Sequence, residues 1–290
     1  MERGELPYFD QLFDSLESPE SEFLKIMGLY FHWGYWPDPE RADMTVQGTR
    51  AAMEGLTTRL MKELRIRPGM KVLDVGCGLG GTIDYLNQKH NGLDLTGLNI
   101  DPRQIELARN SVKARPENQV SFVVGDACEL PFADDSIDQL SAVECIFHFP
   151  SREEFLREAM RVLKPGGRLV FSDFIAYLPI ALFLWPFTPS AKPVFQVYGN
   201  GTNTLFLNQL SYEHLLRKTG FRMRTFANIT RHTMPTFKVL HQLFRDRDPA
   251  WRELWLKANE SIRFSMKWGA LRYGVVAVEK PAGKAGKIRG

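Results

Sequence analysis

Apolar positions along this chain change their period several times, and the changes predict its elements. From Leu12 to about Leu29, and again from about Thr45 to Leu64, apolar residues recur at helical spacing; the second run stops before the turn signal Arg67-Pro68-Gly69. Short, nearly continuous apolar runs then alternate with helical patterns. They are Lys71 to Val75 with a helix to His90, Asp94 to Ile100 with a helix from Pro102, Val120 to Val124, Gln139 to Val143 with a helix from Arg152, and Arg168 to Asp173. Unbroken apolar strands are covered on both faces, so the alternation predicts parallel βαβ units in a doubly wound α/β fold with a mostly parallel sheet. A helix over Ser211 to Thr219, a strand over Phe221 to Ile229, a helix around Trp251 to Trp268 and a last strand over Gly274 to Val278 bring the sheet to seven strands. The pattern divides the chain into an N-terminal helical cap (1–69), a core (70–281) and a basic tail (282–290).

Composition narrows the function classes. With 290 residues, 44% hydrophobic and 24% charged, the chain can bury a full core. The formal charge is only +3, and the excess bases gather at Lys280, Lys284, Lys287 and Arg289, so no nucleic-acid partner is expected. Cys77, Cys128 and Cys145 lack metal-ligand spacing, which predicts no metal site. Their odd number fits a reducing compartment, and Met1 to Pro7 has no apolar stretch of the signal-peptide kind, so a cytoplasmic location is expected. Phe174 to Ala191 carries no charge and approaches the length of a membrane span, but Pro179, Pro186 and Pro189 interrupt it. Weak contact of 174–191 with a membrane surface is the reading left open.

Chemistry concentrates after the first strand, at Asp74-Val75-Gly76-Cys77-Gly78-Leu79-Gly80-Gly81, where a helix begins. Glycines let the backbone turn tightly against a ligand, and the helix start offers free N–H groups. Nicotinamide dinucleotide enzymes use a related spacing, and a turn that binds nothing is a further alternative. Asp74 weighs against a dinucleotide, since its carboxylate would repel a pyrophosphate but accept a hydrogen bond from an ammonium, such as the amino-acid end of S-adenosylmethionine (SAM).

Five segments between Lys71 and Asp173 stand in one order: VLDVGCGLGGT, TGLNIDPRQIELAR, GDACELPFADDSID, AVECIFHFPSREEF and RVLKPGGRL. In that order and spacing the chain resembles the class I SAM-dependent methyltransferases. Upstream, FHWGYWPDPE resembles the segment before the core in small-molecule members, including macrolide-sugar and ansamycin O-methyltransferases and, more distantly, the cyclopropane-forming mycolic acid enzymes. Leu271 through Pro281 resembles the same group's last strand. The resemblance implies a Rossmann-like methyltransferase fold, SAM as cofactor, and a small lipophilic acceptor of the natural-product kind. It assigns Asp74, Gly76, Gly78 and Gly80 to the methionine part of SAM, Asn99 and Gln104 to the ribose, and Ile100 to the adenine face. Many relatives carry an acid where Asn99 stands, a departure that leaves Asp101 either near the ribose or as a helix N-cap. Asp126 would accept the adenine amino group and Ala127 N–H would meet a ring nitrogen; Asp126 can equally cap a turn. His32 would close over the cofactor from the cap, with Trp33 and Tyr35 excluding solvent.

For an oxygen acceptor a general base is required, and residues after the fourth strand nominate His148 and Glu144. His148 can also be a packed aromatic, while Glu144 can hold the ammonium, orient His148, or take a proton after methylation of an alkene. The region 175–208 is expected to form an apolar lid, and Phe147, Phe183, Trp185 and Tyr198 to wall a polyketide, terpenoid or quinone-like acceptor. Arg231, His232 and Lys238 either hold an anionic end of that acceptor or form a solvated face. Three functions follow: an O-methyltransferase, a C-methyltransferase using Glu144 as base, and a SAM-binding scaffold without catalysis.

Overall fold

The computed structural model of the chain describes residues 22–184, 190, 192–194, 207–243 and 249–282. Trp185 and Tyr198 of the expected substrate wall, the helix expected from Leu12 as far as residue 21, and nearly all of the tail lie outside the described residues.

The described residues begin with α1 (Glu22–Met27) and α2 (Val46–Met61). Thr45 starts α2 by accepting Gly48 N–H on its hydroxyl at 3.1 Å. The core follows as β1 (Lys71–Val75), α3 (Gly81–Lys89), β2 (Asp94–Asn99), α4 (Pro102–Ser111), β3 (Gln119–Val124), β4 (Ile137–Ala142), α5 (Arg152–Val162) and β5 (Leu163–Ala176). After it come α6 (Leu178–Leu184), β6 (Leu207–Asn208), α7 (Gln209–Lys218), β7 (Arg222–Asn228), α8 (Thr230–Thr233), α9 (Thr236–Leu243), α10 (Pro249–Lys267) and β8 (Leu271–Glu279).

The sheet runs β3-β2-β1-β4-β5-β8-β7, with the short β6 beside the end of β5. β1 to β5 pair in parallel, and β8 is antiparallel to both β5 and β7. Chain order reverses at β1, with β2 on one side and β4 on the other, so a crevice opens beyond their carboxyl ends.

Alternation along single strands explains the two-sided wrapping. In β8, Leu271, Tyr273, Val275 and Ala277 join one apolar cluster, while Val276 and Val278 join the other. The first cluster also takes Ile83 and Leu86 of α3, Ile105 of α4 and, from the cap, Met53, Leu56 and Leu60. Cap and core therefore share one hydrophobic interior. The second cluster packs Phe155, Leu156 and Ala159 of α5 and Leu216 of α7 on the opposite face.

Nine residues of β5, Arg168 to Ala176, pair with Leu271 to Glu279, so both strands outrun the lengths expected from their apolar cores. Polar ends hide this in β8, and in β5 the extra residues Phe174 to Ala176 merge with the uncharged segment that follows. Arg272 lays its guanidinium over the Tyr177 ring, and Glu279 receives Arg168 and Arg224. No helix among the described residues is long and apolar enough to cross a membrane. Of the segment that suggested one, Phe174 to Ala176 end β5 and Leu178–Leu184 form the seven-residue α6.

Candidate active site

One pocket occupies the crevice, and the glycine turn forms its floor. Gly76 has a φ of +70° and lies so close to the β4 loop that a Cβ there would stand 2.5 Å from the Cβ of Cys145. Only glycine fits both demands. Gly76 and Gly78 line the pocket, as do Gly81 and Thr82, which the sequence reading missed. Gly80 does not line it. Its φ is +88°, it caps α3, and a Cβ on it would meet the Phe122 ring and Val112 at 3.0 Å, so this glycine serves packing behind the turn.

Asp74 is buried under the turn, 2% exposed, and lines the pocket. Its Oδ1 accepts the Ser141 hydroxyl at 2.6 Å, and Thr82 also donates to it. Loss of water around the carboxyl outweighs these donors and pushes its pKa up to about 7. Ser141 could be found only through pairing, since it stands opposite Asp74 in the β1–β4 register.

At the end of β2, Asn99 turns its amide carbonyl onto Ile100 N–H at 2.7 Å and donates its amide nitrogen to Gln104 Oε1 at 2.8 Å. Gln104 is 2% exposed and lines the pocket, yet among the described residues its Nε2 finds no hydrogen-bond acceptor. Asp101 takes the capping alternative: it accepts Arg103 N–H at 2.8 Å at the start of α4 and is absent from the pocket wall. Asp126 and Ala127 line the pocket, and Asp126 at the same time caps its turn by accepting Cys128 N–H at 2.8 Å.

The cap closes one side through Leu29, Tyr30, Phe31 and His32. His32 Nδ1 lies 2.8 Å from the Trp33 carbonyl, which can only accept, so this nitrogen carries the proton and Nε2 accepts the Thr57 hydroxyl at 2.9 Å. Burial lowers its pKa to about 4, so the ring is neutral at pH 7 and both nitrogens are engaged with protein. Trp33 turns away into an aromatic group with Phe174, Phe237 and Tyr273, at centroid distances of 5.2, 4.9 and 5.8 Å. Tyr35 stacks on His232 at 4.7 Å, and His232 Nδ1 donates to the Trp36 carbonyl at 2.9 Å. That histidine belongs to the seam between cap and core. Arg231 pairs with Glu40 at the surface, Lys238 is exposed, and none of the three basic residues lines the pocket.

After β4 come the two nominated bases. Glu144 adopts φ +51°, a left-handed conformation uncommon for a residue with a side chain. The turn is held by its N–H donating to the Ser172 hydroxyl at 3.0 Å. Its Oε1 accepts the backbone N–H of Trp33 at 2.8 Å and the hydroxyl of Tyr273. Burial drives the carboxyl up to about 8, against these two donors. Ser172 and Tyr273 were not nominated by sequence, because the contacts join strands far apart in the chain. His148 ends a short 3-10 turn, Ile146–His148, and lines the pocket beside Phe149 and Pro150. Phe147, expected against the substrate, is 8% exposed and faces Phe174 at 5.5 Å, outside the pocket wall. Phe183, expected there too, is 75% exposed on α6.

This geometry, an acid and glycine turn facing a buried amide pair with two titratable groups opposite, meets its match in known proteins. Residues 73–171 fit the family model described as a methyltransferase domain. Methyltransferase GfsG of Streptomyces halstedii is 35% identical over 207 residues, covering 71% of this chain and 70% of that protein. The chain belongs to the class I SAM-dependent methyltransferases. The 27-O-demethylrifamycin SV methyltransferase of Amycolatopsis mediterranei (strain S699) is 32% identical over 249 residues, 86% of this chain and 85% of its own. Among solved structures, mycolic acid cyclopropane synthase CmaA1, complexed with SAH and CTAB, superposes with a TM-score of 0.75 over 95% of this methyltransferase and 99% of its own chain; at 17% identity the likeness is one of fold. The enzyme uses SAM to methylate a small molecule, and neither the dinucleotide nor the scaffold reading is retained.

Proposed function

We propose that this methyltransferase transfers the methyl group to a hydroxyl of a small lipophilic molecule, with His148 as general base. The observation that carries the reading is that His148 lines the same pocket as Asp74 and the glycine turn, next to the apolar side chains of Leu29, Phe31 and Phe149. SAM supplies an electrophilic methyl group on a sulfonium, so the protein has to align the acceptor, exclude water and remove one proton. The residues present fit this cofactor. Asp74, Gly76 and Gly78 would hold its amino-acid end, the unsatisfied Gln104 amide together with Asn99 its ribose, and Ile100, Asp126 and Ala127 its base. His32, with both nitrogens engaged, would contribute its ring as a wall. The His148 imidazole can take the hydroxyl proton as the oxygen attacks. Relatives named as O-methyltransferases, together with the 27-O-demethylrifamycin SV methyltransferase, support oxygen as the acceptor atom. Residues 175–208 would form the acceptor lid on the cap and core, 1–69 and 70–281.

The test is direct. The purified chain, given SAM and a panel of lipophilic alcohols and phenols, should release S-adenosylhomocysteine with at least one of them and yield a product carrying one added O-methyl group. A product methylated on carbon would favour the second reading. One observation supports that reading: burial raises Glu144 to about 8, so its ionised form is a stronger base than an ordinary carboxylate.

A further inference from the structure

Eight large apolar side chains are exposed among the described residues, and five of them, Tyr177, Leu178, Leu182, Phe183 and Trp268, lie in or just before α6 and in the turn between α10 and β8. These two pieces touch. Tyr177 N–H donates to the Ala270 carbonyl at 2.8 Å, and Ile180 lies 3.5 Å from where a Cβ on Gly269 would stand. α6 reads LPIALFL, without one polar side chain. Its inward positions, Ile180 and Ala181, are half-buried, whereas Leu178, Leu182 and Phe183 on the outward side are 46%, 71% and 75% exposed. An isolated surface helix normally turns charged residues outward. Here the outward face is the apolar one, which marks a surface meant to be covered.

The rim says by what. The charged side chains of α6, of the last turn of α10 and of the first residues of β8 are Lys267 and Arg272; these stretches carry no carboxylate. The Lys267 ammonium stands 5.8 Å from the Trp268 ring, and the Arg272 guanidinium 3.9 Å from the Tyr177 ring. Leucine and phenylalanine on a short helix, flanked by a tryptophan and a tyrosine each paired with a cation, make a surface suited to the headgroup boundary of a bilayer. Seven residues of helix cannot cross it. We propose that α6 and the α10–β8 turn dock this methyltransferase on the surface of an anionic lipid bilayer. The face is well sited: α6 leaves the carboxyl end of β5, the same end of the sheet at which the pocket opens. If the acceptor is lipophilic, as proposed above, docking would let it pass from bilayer to pocket; the docking itself does not depend on that reading.

Vesicle co-flotation of the full chain tests it without any acceptor present. Vesicles of phosphatidylcholine containing phosphatidylglycerol should carry the protein, several-fold more strongly than phosphatidylcholine alone. Leu182→Asp combined with Trp268→Ser should weaken this by at least about tenfold, from the lost apolar burial. Lys267→Gln and Arg272→Gln should each weaken it by roughly fivefold, and only on the anionic vesicles. SAM affinity by calorimetry should be unchanged in all of them, showing that they fold. The proposal is overturned if the parent protein ignores both vesicles, if the substitutions leave partition intact, or if Leu182→Asp instead splits a dimer in sedimentation velocity, which would make a second copy the occupant. Methylation of a polar acceptor would refute the acceptor reading alone.

Discussion

Trp33 donates its backbone N–H to Oε1 of Glu144 across 2.8 Å, joining the cap to the loop after β4 over a separation of 111 residues. The same oxygen receives the Tyr273 hydroxyl. Removing the carboxyl with Glu144→Ala strands the Trp33 N–H in a buried place, and Tyr273 keeps only Ser172, at 3.2 Å. One unpaired buried donor costs about 1–3 kcal/mol, so denaturant unfolding should show a loss of that size. Glu144→Gln, which keeps an acceptor oxygen, should recover most of it.

Titration of the same residue gives a second measurement. Its folded pKa, about 8, lies above the ordinary carboxylate value near 4.5. The folded state thus holds a proton that the unfolded chain has released, and stability contributed by the neutral carboxyl is lost as pH rises from the carboxylate range through about 8. Without cofactor, the Glu144→Gln protein should show a shallower decline in unfolding free energy over that window. An identical slope in both proteins would mean that Glu144 is ionised in the fold.

Gln104 offers a test on the cofactor side. Its Nε2 is buried without an acceptor among the described residues, a cost to the free protein that a ribose hydroxyl would remove. Gln104→Leu deletes the unsatisfied group but also leaves Asn99 Nδ2 without its partner, so the two effects on folding nearly cancel, to within about 1 kcal/mol. SAM affinity should fall about tenfold or more, read by calorimetry. A drop in stability with full affinity would show Gln104 to be only a brace for Asn99.

The sequence made the parallel sheet legible because β1, β2 and β4 are buried on both faces and therefore read as apolar runs. It made the glycine turn legible as well, since Asp74 and the glycines are adjacent. It could not say which glycine faces the pocket: Gly76, Gly78 and Gly80 all adopt positive φ, and only the approach of Cys145 to one and of Phe122 to another separates their duties. Phe147 misled for a related reason, because an aromatic beside a pocket loop looks the same whether it faces ligand or core, and here it packs on Phe174. Tyr273, Ser172 and Ser141 were invisible because their contacts depend on strand register. α8 and α9 were missed around Met234-Pro235, where the proline interrupts the helical period.

That division between glycines can be measured. Gly76→Ala meets Cys145 at 2.5 Å and an unfavourable φ together, and should cost about 3 kcal/mol or more while abolishing SAM binding. Gly80→Ala meets Phe122 and Val112 at 3.0 Å behind the turn. It should lower stability yet leave SAM affinity of the folded fraction within about threefold, since the wall that faces the pocket is unaltered. Equal losses of affinity in the two variants would place Gly80 in the binding surface.

His148→Ala should leave SAM affinity nearly intact and slow turnover by about 100-fold or more, the usual scale for loss of a general base. Unchanged turnover would remove His148 from the chemistry and pass the role of base to Glu144.

Asp74 decides how the cofactor's charge is received. Burial holds its carboxyl at about 7 in the free protein, so near neutrality a substantial fraction is protonated. An ammonium brought beside it favours the ionised form and lowers that pKa, so SAM binding near neutral pH must expel part of a proton. Affinity should then rise with pH up to about 7 and level off above it. Calorimetry in buffers of different ionisation enthalpy reads the proton count directly. Asp74→Asn should bind more weakly and with that part of the release abolished, whereas Glu144→Gln should keep it, which separates the two buried carboxyls. If the parent protein bound SAM with no proton released at any pH between the ordinary carboxylate range and 7, Asp74 would already be ionised in the free enzyme or would not face the ammonium, and the electrostatic basis for preferring SAM over a dinucleotide at this turn would have to be found in another residue.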